Sequence, residues 1–169
     1  MLQIKKKIPN LEELRLYFRS LIPVMAPSYS SLTTRRLEIW IFNQVNLGSG
    51  KVSPALTDDR LYSLTQRIYP GSNIGLLTYH GNERGGSSGL IRSHKDHAFS
   101  MPQAISINLG IADFEFSGVA HRLNDGDIWE FNCKESHAVP KIYTAERFSL
   151  VLWTLNKRKG YNCTMPVNF

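Results

Sequence analysis

From residue 74 onward, apolar residues recur at every second position in short runs separated by turn-forming residues, and this rhythm leaves few folds open to the chain. Side chains two apart share one face of a pleated strand, and several short strands at close spacing mark an antiparallel sandwich or barrel. Candidate strands span 75–79, 104–109, 113–116, 128–132 and 147–155. In the second of them Ile105, Ile107 and Leu109 share a face, and Asn124-Asp125-Gly126-Asp127 supplies a turn before the strand that starts at Ile128. The glycine-rich stretch 81–89 predicts a flexible loop near the front of this unit.

The part before residue 74 reads as mostly helical. Pro9-Asn10 precedes Leu11, Leu14 and Phe18, with Glu12 and Glu13 near the positive end of the helix dipole, which predicts a short helix to about Ser20. A second helix starts near Thr57-Asp58-Asp59, carries Leu61, Leu64 and Ile68 at helical spacing, and stops before Pro70-Gly71. Between the two, residues 36–45 alternate and are rich in β-formers, as a strand or hairpin would be. Helix first and sheet second gives an α+β class. The expected organisation is one domain over 1–169, with a helical or lid region at 1–73, a sheet core at 74–155 and a tail at 156–169.

A chain of 169 residues suits a single domain with a sizeable core. Its 42% hydrophobic and 20% charged residues argue against disorder. The apolar run from Phe148 to Leu155 falls far short of the ~20 residues that span a bilayer, so no membrane partner is expected. Lys5-Lys6-Lys7 is followed by a proline and two glutamates where an export signal needs an apolar stretch, and Cys133 and Cys163 are too few for a disulfide framework. A cytoplasmic monomer is the expectation. The net charge of +6 favours a polyanionic partner, although part of it lies in Lys5-Lys6-Lys7 and Lys157-Arg158-Lys159 near the termini.

Chemistry concentrates in His94-Lys95-Asp96, in His137 and in Arg147. Residues i and i+2 of a strand point the same way, so His94 and Asp96 can reach one metal from a strand end while His137 on a neighbouring strand completes a triangle. Two imidazoles and one carboxylate on one face of an octahedral iron leave three adjacent positions open, as a non-haem iron oxygenase requires. The same donors also suit zinc. Arg147 opens an apolar strand where a charge has no obvious structural purpose, and Ser149 shares its face. A planar guanidinium and a hydroxyl there can hold a carboxylate together. His80, His97 and His121 read as structural histidines.

Taken in order, several segments carry a resemblance: Leu77-Thr78-Tyr79, His94-Lys95-Asp96, residues 102–110, Leu123-Asn124-Asp125-Gly126-Asp127, Ser136-His137-Ala138-Val139-Pro140 and Arg147-Phe148-Ser149-Leu150. Together they resemble the double-stranded β-helix (jelly-roll) core of the 2-oxoglutarate-dependent oxygenases, and within them the AlkB-like branch. The resemblance implies a jelly-roll core with the N-terminal helices packed on its sheet. It further implies iron(II) at His94, Asp96 and His137, 2-oxoglutarate held by Arg147 and Ser149 with Tyr79 as a further contact, and dioxygen as oxidant. The chain departs from the AlkB-like pattern in three places. Leu77 stands where an asparagine is usual, Trp153 where a second arginine is frequent, and residues 81–89 lengthen the segment before His94.

In AlkB-like enzymes the region before the core forms a lid over the nucleotide. Residues 33–56 would supply it here, with Arg35, Arg36 and Trp40 for phosphate contact and base stacking. Trp40 and Phe42 also alternate with Ile39 and Ile41 as a buried strand would. The expected partner is single-stranded DNA or RNA, and the expected reaction is hydroxylation or oxidative demethylation of a nucleic acid or modified nucleobase, with release of succinate and CO2. The alternatives are a hydroxylase of a small molecule or protein side chain, a zinc hydrolase, and a non-catalytic jelly-roll binding module. Arg147 and Ser149 argue against the hydrolase, and the intact ligand set argues against the binding module.

Overall fold

Strand alternation sorts the side chains into two cores, one outside and one inside a pair of sheets. The structure is a computed structural model that describes residues 1–81 and 90–164. The larger sheet has seven strands in the order β1 (Leu2–Ile4), β11 (Ile128–Asn132), β8 (Gln103–Leu109), β13 (Glu146–Trp153), β6 (Ile74–Gly81), β3 (Leu37–Ile41) and β2 (Ala26–Pro27). The smaller has four, in the order β10 (Val119–Leu123), β9 (Ala112–Phe116), β12 (His137–Ile142) and β7 (Ile91–His94). A ribbon of β4 (Asn43–Val45) and β5 (Val52–Pro54) stands apart, and all the paired strands are antiparallel. This is the α+β jelly roll expected from the sequence. The loop predicted at 81–89 lies, after Gly81, outside the described residues.

On the outer face of the larger sheet, Leu77, Tyr79, Ile105, Ile107, Leu109, Phe148, Leu150 and Leu152 pack against Leu14 and Phe18 of α1 (Leu11–Leu21) and Leu61 and Ile68 of α2 (Asp59–Ile68). A fully buried leucine or phenylalanine contributes roughly 1.5–3 kcal/mol. Phe18 is a principal anchor of α1, its ring 5.7 Å from that of Phe148. Residues of the opposite parity, Ile74, Ala104 and Trp153 among them, join Ala112, Phe114, Leu123, Phe131 and Val139 in a second core between the sheets. Farther along the same inner face, Thr78, His80, Ser106, Asn108, Arg147 and Ser149 are buried polar groups. Buried polar groups in such number mark a place built to meet a polar ligand or one another.

Both helices begin and end near their predicted limits. Asp58 caps α2, accepting a hydrogen bond from the Leu61 amide at 2.7 Å, and Gly71 follows its end with φ of 84°. The rest of the first part differs from the expectation. Five short strands accompany the two helices, and three of them extend the larger sheet. The predicted strand at 36–45 divides into β3 and β4 because the chain turns at Phe42, whose φ is 66°. Three strands of the smaller sheet, β7, β10 and β12, escape the alternation pattern. Pro140 falls in β12, where the register with β9 shifts between Ala138 and Lys141, and a proline is tolerated in a sheet at such an irregularity. Among the described residues, no helix is long and apolar enough to cross a membrane.

The cap on α2 gives a direct test of how this helix is held. Asp58 also accepts a hydrogen bond from the Tyr17 hydroxyl of α1, so it ties the two helices together. Asp58→Ala is expected to cost about 1–2 kcal/mol and to lower Tm by about 2–8 °C in thermal unfolding, with Asp58→Asn costing less.

Candidate metal centre and acid pocket

His94 ends β7 and His137 begins β12, and the antiparallel register sets them directly opposite one another. Their ring centroids are 4.3 Å apart. Each Nδ1 faces a backbone carbonyl two residues earlier on its own chain: His94 to Arg92 at 2.8 Å, and His137 to Glu135 at 2.9 Å. A ring nitrogen that meets a carbonyl carries the proton there, which leaves Nε2 for another partner. Both Nε2 atoms turn to Asp96 Oδ1, at 3.4 Å from His94 and 3.3 Å from His137. One ligand atom from each residue lies within 4.8 Å of the others, which suits a single metal ion. Burial alone would raise the Asp96 pKa, but its contacts with the His137 and His94 imidazoles outweigh it and hold the carboxyl well below the usual range.

The surroundings fix each donor. The His137 ring stacks on Phe114 at 5.8 Å and meets Phe131 edge-on at 5.2 Å. The Asp96 amide donates to the Cys133 carbonyl at 2.8 Å. Its second oxygen, Oδ2, accepts from the Trp153 indole Nε1 at 3.0 Å, so Oδ1 alone faces the imidazoles. Trp153 is braced edge-on by Phe99 at 5.5 Å, and Phe99 by Trp40 at 5.8 Å.

Arg147 sits on the inner face of β13 and is only 6% exposed. Its Nε donates to Asn108 Oδ1 at 2.8 Å, and the Asn108 amide is itself fixed on the carbonyls of Gly110 and Asn124. Among the described residues the two Nη groups of Arg147 have no hydrogen-bond partner, so they remain for a ligand. Burial, with help from the positive charge of Arg36, lowers the Arg147 pKa to about 10, and the group stays charged at neutral pH. Ser149 lies two residues on, its Oγ 3.3 Å from Ser106 Oγ.

The structure therefore brings His94, Asp96 and His137 together and sets Arg147 and Ser149 on one inner face. It moves the remaining expected contacts. Tyr79 pairs with Phe148 in the β6–β13 register and lies on the outer face, its ring 5.0 Å from Phe148. It points away from Arg147. The inward residues of β6 are Thr78 and His80, one position from Tyr79, because a slip of one residue exchanges the two faces of a strand. Leu77 is likewise part of the helix-side core, so its lack of a polar group leaves the pocket unaffected. The sequence reading also missed Ser106 and Asn108. The signal was present, since the alternation that turns Ile105, Ile107 and Leu109 outward turns Ser106 and Asn108 inward.

Of the three groups assigned to a lid, Arg35 is exposed with φ of 47°, whereas Trp40 packs against Phe99 in the inner wall. Arg36 is partly buried beside Glu38, with Nη2 3.0 Å from Oε2. The segment closest to the metal ligands starts earlier than expected. The Thr34 amide donates to Leu90 at 3.0 Å, Arg92 donates to Leu32 at 2.9 Å, and Thr33 bridges Ile91, so residues 32–34 run along β7. Tyr29 on the same stretch is 94% exposed.

No family model matches the chain, and no curated protein matches it in sequence. Solved structures do match in shape. OsALKBH1 superposes with a TM-score of 0.69 at 14% identity, over 90% of this chain and 97% of that one. An oxidoreductase of the 2OG-Fe(II) oxygenase family from Burkholderia pseudomallei gives 0.58 at 16% identity, over 85% and 78%. A Pseudomonas putida prolyl-4-hydroxylase gives 0.58 at 15% identity, over 92% and 91%. At these identities the likeness is one of fold, and the chain has the double-stranded β-helix fold shared by these oxygenase structures.

Proposed function

We propose that the protein is an iron(II)- and 2-oxoglutarate-dependent dioxygenase whose substrate is a nucleic acid or modified nucleobase. The observation that carries this reading is the pairing, inside one barrel, of a His94–Asp96–His137 ligand set with the buried, ligand-ready guanidinium of Arg147. Zinc would accept the same three ligands, but a hydrolase has no use for a buried arginine whose Nη groups have no hydrogen-bond partner among the described residues. When bound, iron(II) with 2-oxoglutarate and dioxygen supplies the oxidation of a substrate C–H bond, with succinate and CO2 as by-products.

The chain's own residues hold and orient. His94 and His137 present Nε2 because their Nδ1 atoms are committed to backbone carbonyls, and such outer contacts fix both the tautomer and the direction of the ring. Trp153 occupies Asp96 Oδ2 and so leaves a single oxygen for the metal. Arg147, held by Asn108, orients the distal carboxylate of the co-substrate, with Ser149 and the inward Thr78 and His80 on the same wall. Aromatic walls from Phe99, Phe114 and Phe131 limit water near the ligands. Support for a nucleic-acid substrate comes from the net charge of +6, from the exposed Arg35, Arg92 and Lys95 near the ligands, and from Tyr29, an exposed face on which a base can stack.

The test is succinate release by iron(II)-loaded protein with panels of methylated oligonucleotides, nucleosides, amino acids and peptides. Oligonucleotide-stimulated release that is lost in His137→Ala is the expected result. Stimulation by amino acids or peptides alone replaces the nucleic-acid reading, and no succinate from any panel removes the oxygenase. Trp153→Phe keeps an aromatic ring and removes only the indole donor. It is expected to weaken cobalt(II) binding by about 10- to 100-fold and to change the cobalt absorption spectrum. Binding of a short single-stranded oligonucleotide is expected to weaken with salt, and Arg35→Ala is expected to reduce the slope of log K against log salt by about 0.7. A slope unchanged by that substitution removes Arg35 from the interface.

A further inference from the structure

Arg36 lies just before β3, where Leu37 pairs with Tyr79 of β6 and both face the helices. Extending that register by one residue sets Arg36 opposite His80, on the inner face, and His80 in turn pairs with Arg147 across β6–β13. Arg36, His80 and Arg147 therefore form one row across three neighbouring strands at one level of the barrel.

Arg36 is unusual within this row. Its side chain is 13% exposed, and its Nη2 meets Glu38 Oε2 at 3.0 Å. Its Nε is buried and has no hydrogen-bond partner among the described residues. A guanidinium offers five donors in a rigid fork, and one carboxylate on Nη2 leaves the Nε edge unsatisfied. A buried donor without a partner is costly unless a ligand completes it. The two guanidinia also sense each other, since the charge of Arg36 helps to depress the pKa of Arg147. Burial depresses that of Arg36 as well, against the pull of Glu38. Two like charges brought onto one buried wall form a site for an anion, because an anion relieves their repulsion and meets both sets of open donors.

The geometry points to Arg36 as a second acid-binding group of the pocket: with Arg147 it grips the distal carboxylate of the dicarboxylate co-substrate, one guanidinium from the entry to β3 and one from β13. This rests on the reading of the site given above. It makes the segment that enters β3 part of the co-substrate site, although that segment lies outside the strands that carry the metal ligands and Arg147. It also implies selection for dicarboxylate oxo acids over monocarboxylate ones, since only the former place a charge between the two guanidinia.

The experiment titrates cobalt(II)-loaded protein by calorimetry with 2-oxoglutarate and with 2-oxopentanoate, which has the same chain length and lacks the distal carboxylate. Arg36→Gln is expected to raise the Kd for 2-oxoglutarate by about 10- to 100-fold, as Arg147→Ala does, and to leave 2-oxopentanoate within about twofold. Arg36→Lys keeps the charge without the fork and is expected to fall between Gln and the parent. It also serves if the glutamine variant fails to fold. Glu38→Gln removes the ion-pair partner that Arg36 has among the described residues and is expected to leave 2-oxoglutarate binding unweakened. Equal weakening of both acids by Arg36→Gln, no weakening of either, or the same loss in Glu38→Gln as in Arg36→Gln overturns the clamp. Parent protein that binds neither acid overturns the oxygenase reading and the clamp together. Parent protein that binds 2-oxoglutarate as tightly as the Arg36 variants do overturns the clamp alone.

Discussion

The outer face of the seven-stranded sheet is sealed by two helices, and the chemistry of the inner face depends on that seal. Phe18, Leu61 and Ile68 cover Phe148, Leu150, Ile107 and Leu77, so a continuous apolar core exists without any contribution from the cavity side. The neighbouring positions on the same strands are then released from packing duty. Arg147, Ser149, Asn108, Ser106 and Thr78 can be polar and buried because their strands are already anchored from behind. Each inner polar group has a defined partner or faces the cavity. Asn108 illustrates the first case, with its amide on two carbonyls and its oxygen turned to Arg147.

A second constraint acts through the smaller sheet. The β7–β12 register sets His94 against His137, and the hydrogen bonds from their Nδ1 atoms to the chain determine where both rings point. Asp96 is held from three sides, by Cys133 through its amide, by Trp153 through one oxygen and by the imidazoles at the other. The candidate ligand set is thus held in place by contacts within the chain itself. Such preorganisation matters because a positional error of about 1 Å at a reacting centre costs of order 100-fold in rate.

Much of this was legible in the sequence, and the exceptions have identifiable causes. The helices announced themselves through Asp58 and through the stop at Pro70-Gly71, which are local signals. The strands β8, β11 and β13 were legible because their alternation is clean, and the meeting of His94 with Asp96 because His-x-Asp at a strand end is a local pattern. Strand β10, with Val119, Ala120, His121 and Arg122 all at least partly exposed at a sheet edge, has no buried face to impose alternation. Tyr79 was misassigned because Leu76, Leu77, Thr78, Tyr79 and His80 form a run whose apolar content does not reveal its parity, and a slip of one exchanges wall and core. Arg36 was assigned to a lid because it lies in the segment 33–56 ahead of the core, beside Arg35, among groups suited to phosphate contact. Only the register with β6 shows that the two adjacent arginines serve opposite sides of the wall.

Residues 32–34 are bonded to the edge of β7, and the chain reaches the edge of β6 only a few residues later at Leu37. One short stretch therefore stitches the two sheets together along one side of the barrel. The Thr34 amide and the Leu32 carbonyl are bonded to the β7 segment, so moving the stretch aside breaks the Thr34–Leu90 and Arg92–Leu32 hydrogen bonds. In hydrogen-exchange terms, amides bonded in this way open less readily than those of an unpaired loop.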